Sequence, residues 1–192
     1  AKKTEDPKLE FLITVSFLEI YKEQIKDLLN PSDKKLRIRQ DSKLGTFVQD
    51  LATIVVTDAD SVLKLIDEGN RVRQVAESKA GGQTQKTTTN VAAKINLVDL
   101  AGSERADKTG ASGATLREGA SINKSLMTLG LVISLLVGGK SKHIPYRDSQ
   151  LTRLLQESLG GNSITVMLAA ISPADDNFDE TLSTLQFADR AK

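Results

Sequence analysis

The sequence contains no cysteine and no tryptophan, and it has a single histidine, His143. The lack of cysteine excludes a disulfide framework and a thiolate metal site, and it fits a reducing compartment such as the cytosol. One histidine without a second His or Cys does not make a zinc site, so His143 is better interpreted as a contact or packing residue. Aromatic residues make up only 4% of the chain, so the core must depend on Leu, Ile, Val and Ala.

Long apolar runs and a strong charge of one sign are also missing. No run approaches the roughly 18 residues needed to span a bilayer, so we expect no membrane insertion. The N-terminal sequence AKKTEDPKLE lacks the apolar segment of a signal peptide. The formal net charge is +1, which argues against nucleic acid as a partner, because any basic binding surface must be local. A length of 192 residues suits one domain with a sizeable core.

The apolar residues repeat with strand-like and helix-like periods in turn. Strands are predicted at 10–21, 34–40, 46–56, 94–100 and 163–173, with 34–40 and 46–56 joined through Gly45. Helices are predicted at 22–29, 60–69, 122–136, 149–159 and 179–188. Thr57 with Asp60 forms a capping-box pattern, Asp148 or Ser149 can cap the fourth helix, and residues 77–89 are predicted as a loop. This alternation predicts an α/β fold with a mostly parallel central sheet flanked by helices.

The segment DLAGSE, Asp99 to Glu104, follows an apolar run typical of a strand buried on both faces. At the carboxyl end of such a strand, Asp99 can hold a Mg²⁺ ion through a bound water. The N–H of Gly102 can approach a γ-phosphate because no Cβ intervenes. Glu104 can orient an attacking water or bind a partner on a neighbouring loop. The alternative is a strand that ends in a solvated acidic turn.

A second segment resembles a phosphate-binding P-loop only in part. GGKS, Gly138 to Ser141, matches the end of the P-loop pattern GxxxxGK[ST], but the first glycine of that pattern is replaced by Ser134. The segment also follows a predicted helix, whereas a P-loop follows a strand and opens a helix. We interpret it as a helix terminus, and the 192 residues contain no true P-loop.

Basic residues concentrate in the second half of the chain. The candidates for a binding surface are Arg105, Lys108, Lys124, Lys140, Lys142, His143, Arg147 and Arg153, with Arg117 also nearby. In a nearly neutral protein, such a concentration can steer the chain toward an acidic partner. The alternative is an ordinary solvated charged face.

Five segments in order resemble the kinesin motor domain. They are VSFLEIYKEQIKDLL, NLVDLAGSERADKTGASG, REGASINKSLMTLGLVISLL, HIPYRDSQLTRLLQESLGGNS and ISPADDNFDETLSTLQFADRAK. The resemblance covers roughly residues 10–192 and implies a P-loop NTPase-type fold, ATP or ADP with Mg²⁺ as cofactor, and microtubules as partner. It implies a cytoplasmic, cytoskeletal location for an ATP-driven microtubule motor.

The resemblance also assigns parts of the chain. DLAGSE would be switch II, with Asp99, Gly102 and Glu104 catalytic, and residues 122–136 would be the relay helix on tubulin. The basic residues from Arg105 to Arg153 would form the microtubule-binding face. We expect a small β-lobe at about 34–56, a loop at about 77–90 in place of switch I, and the switch II and microtubule-binding half at 95–192. Subfamily, direction of movement, cargo and oligomeric state are not encoded in these segments.

The sequence departs from the family pattern at two phosphate-contacting elements. The P-loop third that precedes residue 10 in the family is not found, and AGGQTQKTTTNVAAK stands where the N-x-x-S-S-R-S-H of switch I is expected. We therefore expect the parent protein to be a microtubule-stimulated ATPase and this chain alone to be inactive. The alternatives are a non-motile kinesin-derived microtubule-associated protein without ATPase activity and an unrelated α/β nucleotide-sensing domain.

The same departures bear on folding. In the family, the P-loop strand lies beside the strand NLVDL, so its absence should leave apolar faces and backbone groups of buried strands without partners. We expect these 192 residues to form an incomplete fold that is not a stable monomer.

Overall fold

A computed structural model describes residues 11–42, 45–74, 93–102, 114–139, 141 and 143–191. The chain divides into two units, one of Ala1–Arg37 and Val48–Ile95 (unit 1) and one of Ile38–Phe47 and Asn96–Lys192 (unit 2). The strands are β1 Ile13–Val15, β2 Leu18–Tyr21, β3 Gln24–Asp27, β4 Arg37–Asp41, β5 Gly45–Gln49 and β6 Ile54–Val56. The α-helices are α1 Ala59–Gln74, α2 Ala114–Gly138, α3 Gln150–Leu154, α4 Gln156–Gly160 and α5 Phe178–Arg190. Short 3₁₀ turns lie at Tyr146–Asp148 and Asp175–Asn177.

The first predicted strand, 10–21, is two strands in the structure. β1 pairs antiparallel with β6, with Ile13 opposite Val56, and β2 pairs antiparallel with β3. The prediction of a helix at 22–29 is wrong, because β3 occupies that segment. Lys22 and Glu23 turn the chain with φ of 51° and 59°, and two such residues fit the twist of a tight hairpin. Along β3 burial alternates with a period of two, which is the pattern of a strand.

Asp27, the last residue of β3, joins the β2–β3 hairpin to the rest of unit 1 through hydrogen bonds of its side chain. Its carboxylate is buried and accepts hydrogen bonds from the backbone N–H groups of Leu29, Asn30 and Ala52, at 2.9, 2.9 and 2.7 Å. A buried carboxylate is tolerated only when such donors replace water. Asp27 therefore connects the end of β3 to the segment that leads into β6.

Helix α1 begins one residue away from the predicted capping box. The carboxylate of Asp58, rather than Thr57, accepts from the backbone N–H of Ser61 at 2.7 Å. That hydrogen bond, with smaller contributions from the hydroxyls of Ser61 and Thr57, holds the pKa of Asp58 below its ordinary value. The helix also continues beyond Gly69, its predicted end. Gly69 is buried, and a Cβ there would collide with the ring of Phe17, so this glycine permits a close approach and does not end the helix.

Unit 2 is built around α2. A stripe of Leu129, Val132 and Ile133 is buried, with Val132 fully enclosed, and the helix packs on α3 and α5. The helix begins at Ala114, eight residues before the predicted start at Ile122, and ends at Gly138. Gly139 has a φ of 62° and donates its N–H to the carbonyl of Leu135 at 3.3 Å. This left-handed cap confirms that GGKS begins at a helix terminus.

Ser149, one of the two predicted caps, begins the next helical stretch. Its hydroxyl accepts from the N–H of Thr152 at 3.1 Å, and both side chains are buried. The stretch is divided at Leu155 into α3 and α4, and it ends at Gly160 as predicted. Gly160 lies against the hydroxyl of Tyr146, and burial raises the pKa of that tyrosine.

The two segments predicted as buried central strands form no strand in the described part of the chain. Residues 93–102 and 163–171 are exposed instead; Leu97 is 90% and Ile164 is 99% accessible. The described strands form three two-stranded sheets, β1–β6, β2–β3 and β4–β5. An apolar strand becomes buried only where neighbours pair on both edges and helices cover both faces, and none of the described strands pairs with these segments. The apolar faces expected to lack partners are therefore open.

No helix within the described ranges is both long enough and apolar enough to cross a membrane.

Gly69→Ala tests the contact between α1 and Phe17. In a free helix interior this change gains up to about 1 kcal/mol, but the added methyl meets the Phe17 ring, and over-packing costs roughly 1–3 kcal/mol. We expect a lower melting temperature by circular dichroism. The matched control is Asn70→Ala on the exposed side of α1, which should stabilise slightly. A Gly69→Ala protein that melts at or above the Asn70→Ala protein would contradict the close approach.

Candidate functional site

The acidic turn DLAGSE is described as far as Gly102, and Glu104 lies outside the described residues. Asp99 and Gly102 are both exposed. Among the described residues, no group of three or more His, Cys, Asp or Glu side chains could hold a metal ion. Asp99 offers one carboxylate, which suits water-mediated contact with Mg²⁺ but does not form an ion site without further ligands.

Ser158 on α4 contacts both of the exposed segments predicted as strands. The side-chain amide of Asn96 donates to the Ser158 hydroxyl at 3.1 Å. The hydroxyl of Thr165 donates to the Ser158 carbonyl at 2.5 Å. The segment that leads to Asp99, three residues beyond Asn96, is thus held by α4, the helix that follows α3 and its Arg153.

The structure describes four of the eight predicted basic contact residues. Lys124 on α2, His143 and Arg147 are exposed, whereas Arg153 on α3 is half-buried. The guanidinium of Arg153 donates to the backbone carbonyl of Ile38 on β4 at 3.0 Å. The remaining candidates, Arg105, Lys108, Lys140 and Lys142, lie outside the described residues. Arg153 therefore has a structural contact that its charge alone did not predict.

Arg147 makes no ion pair with the neighbouring acids Asp148 and Glu157 among the described residues. The Oε1 atom of Glu157 is instead engaged by Thr46 of β5, accepting from its N–H at 2.6 Å and from its hydroxyl at 3.3 Å. The guanidinium of Arg147 is consequently available to a partner at the surface.

A small polar cleft lies between the β4–β5 pair and the helical segment from Tyr146 to Gly160. Its volume is about 70 Å³, and its lining consists of Ile38, Arg39, Gln40, Thr46, Arg147, Arg153 and Gln156. That volume suits one small polar group, and the three arginines favour an anionic one. Sequence reasoning missed Arg39 and Gln40. The signal was the alternation in RIRQ, which places Arg37 and Arg39 on one face of β4.

The sequence matches the family model of the kinesin motor domain in two overlapping parts, residues 1–86 and 81–192. It is 47% identical over 220 residues to kinesin-like protein KIF1A of Rattus norvegicus, which covers 98% of this chain and 13% of that protein. It is 49% identical over 214 residues to kinesin-like protein unc-104 of Caenorhabditis elegans, covering 97% of this chain and 14% of the relative.

Solved structures agree with the sequence relatives. The structure of a fast kinesin aligns with a TM-score of 0.77 at 40% identity, over 95% of this chain and 56% of that one. A KIF14 dimer with AMP-PNP, in complex with a microtubule, aligns with a TM-score of 0.77 at 42% identity, over 94% and 57%. The chain thus spans about an eighth of the two sequence relatives and just over half of these motor structures. The predicted P-loop NTPase-type fold class is confirmed at the level of the family, and the chain belongs to the kinesin motor domain family.

Proposed function

We propose that this chain is the microtubule-binding portion of a kinesin-type motor that couples ATP hydrolysis to movement along microtubules, located with the cytoskeleton in the cytoplasm. The observation that carries the proposal is the exposure of Lys124, His143 and Arg147 on unit 2, with no internal ion pair for Arg147 among the described residues. A KIF14 motor solved in complex with a microtubule aligns over 99% of this chain at 40% identity, which supports the same partner.

The nucleotide side of the proposal assigns ATP or ADP with Mg²⁺ to the parent motor. Asp99 would hold the ion through water, Gly102 would approach the γ-phosphate, and Glu104 would orient the attacking water. Exposed Asp99 and Gly102 are compatible with contact to such a ligand. The basic residues outside the described ranges, Arg105, Lys108, Lys140 and Lys142, would extend the microtubule-binding face together with Arg153.

A second candidate is a non-motile, kinesin-derived microtubule-associated protein without ATPase activity. The alignment with KIF1A runs over 220 residues but includes 98% of this chain, about 188 of its 192 residues, so about 32 aligned positions have no residue of this chain opposite them. The two matches to the family model meet at residues 81–86, inside the loop proposed to replace switch I. Loss of switch I would remove phosphate contacts and leave the microtubule-binding half intact.

Removal of two exposed positive charges from unit 2 tests the proposed microtubule-binding face. Lys124→Gln with Arg147→Gln should weaken co-sedimentation with microtubules roughly tenfold, equivalent to about 1.4 kcal/mol. The difference should shrink with salt, because the Debye length falls from about 10 Å at 0.1 M to about 3 Å at 1 M.

The control removes two positive charges from unit 1, Lys22→Gln with Lys26→Gln. Both ammonium groups lie over the Tyr21 ring, at 4.9 and 5.4 Å, so circular dichroism must show that the control remains folded. If well-folded Lys124/Arg147 and Lys22/Lys26 variants sediment alike at every salt concentration, the assigned face is wrong.

We expect replacement of Arg153 to lower the free energy of unfolding more than replacement of Arg147. Arg153→Ala removes the donor to the Ile38 carbonyl and should lower the free energy of unfolding by about 1–2 kcal/mol. Arg147→Ala changes an exposed side chain and should stay within about 0.5 kcal/mol of the parent. Urea unfolding measures both, and equal losses would show that Arg153 has no special structural role.

ATP turnover separates the two candidate functions. Positioning of the phosphates and Mg²⁺ supplies most of phosphoryl-transfer catalysis, so the 192-residue chain should show no microtubule-stimulated ATPase above a no-protein control. Microtubule binding without turnover fits both candidates for this chain. Turnover that disappears in Asp99→Ala would exclude the non-motile candidate and would show that the missing phosphate elements are not required.

A further inference from the structure

We propose that Glu157 is a positioning residue of the microtubule-binding surface, which holds the β4–β5 pair against α4 so that the arginine-lined cleft keeps its shape. The inference rests on the proposed function and adds a residue that a count of basic side chains overlooks. Glu157 has the wrong sign for direct contact with an acidic track, and its role follows from what its carboxylate holds.

The carboxylate of Glu157 binds the start of β5. Its Oε1 accepts from the N–H of Thr46 at 2.6 Å and from the Thr46 hydroxyl at 3.3 Å, across 111 positions of sequence. Thr46 is 3% exposed, so water is a poor substitute for this acceptor. Gly45 has a φ of 69°, and a Cβ there would collide with the Glu157 carboxylate. The chain at Gly45 is therefore shaped to admit this side chain.

The same helical stretch also holds β4. Arg153, four residues before Glu157, donates to the carbonyl of Ile38 at 3.0 Å. One basic and one acidic side chain thus bind the backbones of the two paired strands, Arg153 on β4 and Glu157 on β5. Each contact joins distant parts of the sequence, so the two side chains fix the strand pair to a helical stretch that the local chain path does not place beside it.

Strands β4 and β5 supply one wall of the cleft, and the helical segment supplies the other. Arg39 and Gln40 come from β4, Thr46 comes from β5, and Arg147 and Gln156 come from the helical segment. Release of Thr46 from Glu157 would let β5 move, and its partner β4 would then be held to the helical segment by Arg153 alone. Arg39 would therefore be placed less firmly relative to Arg147. A partner carboxylate would then meet two scattered charges in place of a preorganised pair.

Whether a substitution of Glu157 strengthens or weakens microtubule binding distinguishes a positioning role from a purely electrostatic one. If Glu157 acted only as a negative charge beside an acidic track, any neutral substitution would tighten binding, because it removes a repulsion. If Glu157 positions the strands, only a substitution that keeps an acceptor for Thr46 can preserve binding. Glu157→Gln and Glu157→Ala remove the same charge, but glutamine retains a carbonyl Oε1.

The experiment compares the parent chain, Glu157→Gln and Glu157→Ala by microtubule co-sedimentation and by hydrogen–deuterium exchange of β5. We expect Glu157→Gln to bind as tightly as the parent or more tightly, with unchanged exchange. We expect Glu157→Ala to bind roughly tenfold more weakly and to exchange faster at residues 45–49. Glu157→Asp, which keeps the charge but shortens the side chain by one methylene and so withdraws the acceptor from Thr46, should reproduce the alanine result if Glu157→Ala itself unfolds.

The outcomes distinguish the two proposals. A parent chain that does not bind microtubules contradicts the proposed function and the positioning role with it, while the exchange data still decide whether Glu157 holds Thr46. If the parent binds and Glu157→Ala binds equally well or more tightly, positioning is overturned and the proposed function stands. Unchanged exchange at residues 45–49 in a folded Glu157→Ala chain would also overturn it.

Discussion

Burial of one stripe of α2 is the interaction on which the described helices of unit 2 depend. Leu129, Val132 and Ile133 are enclosed, and full burial of such side chains stabilises by roughly 1.5–3 kcal/mol each. The helix packs on α3 and α5, and Gly130 brings it close to the ring of Phe187 on α5. Because α2 also carries Lys124, while α3 and α4 carry Arg153 and Glu157, the same apolar contacts support the proposed microtubule face.

Features encoded within a few residues were predictable from the sequence. The end of α2 at Gly138 and the cap at Ser149 each depend on one local hydrogen bond. Glycine at a helix end and serine at a helix start are the residue types that predict such bonds. Features set by distant contacts were not. The sequence predicts a helix end at Gly69 because nothing nearby in the sequence reveals Phe17, its packing partner. The sequence predicts a helix at 22–29 because its short apolar run does not show that the Asp27 carboxylate accepts a hydrogen bond from the backbone N–H of Ala52.

The segments 93–102 and 163–171 show the same limit at the scale of the sheet. Their apolar residues predict buried strands, but burial of Leu97 and Ile164 requires neighbouring strands that no local pattern supplies, and both side chains are exposed. This chain covers 56% of the solved fast kinesin motor. Among the described residues, Ser158 forms hydrogen bonds with both segments, through Asn96 and Thr165.

The basic face shows why residue charge is an incomplete guide to a binding surface. Arg147 and Arg153 are six positions apart with the same charge, yet one is exposed and the other donates to a strand carbonyl. Glu157 has the opposite charge, yet it binds the strand next to the one that Arg153 binds. Coulomb attraction acts over a Debye length and is insensitive to such detail, whereas a cleft of about 70 Å³ requires its walls to be fixed. Long-range steering by this surface therefore depends on how many cations it exposes, and close fit depends on the residues that hold β4 and β5 in place.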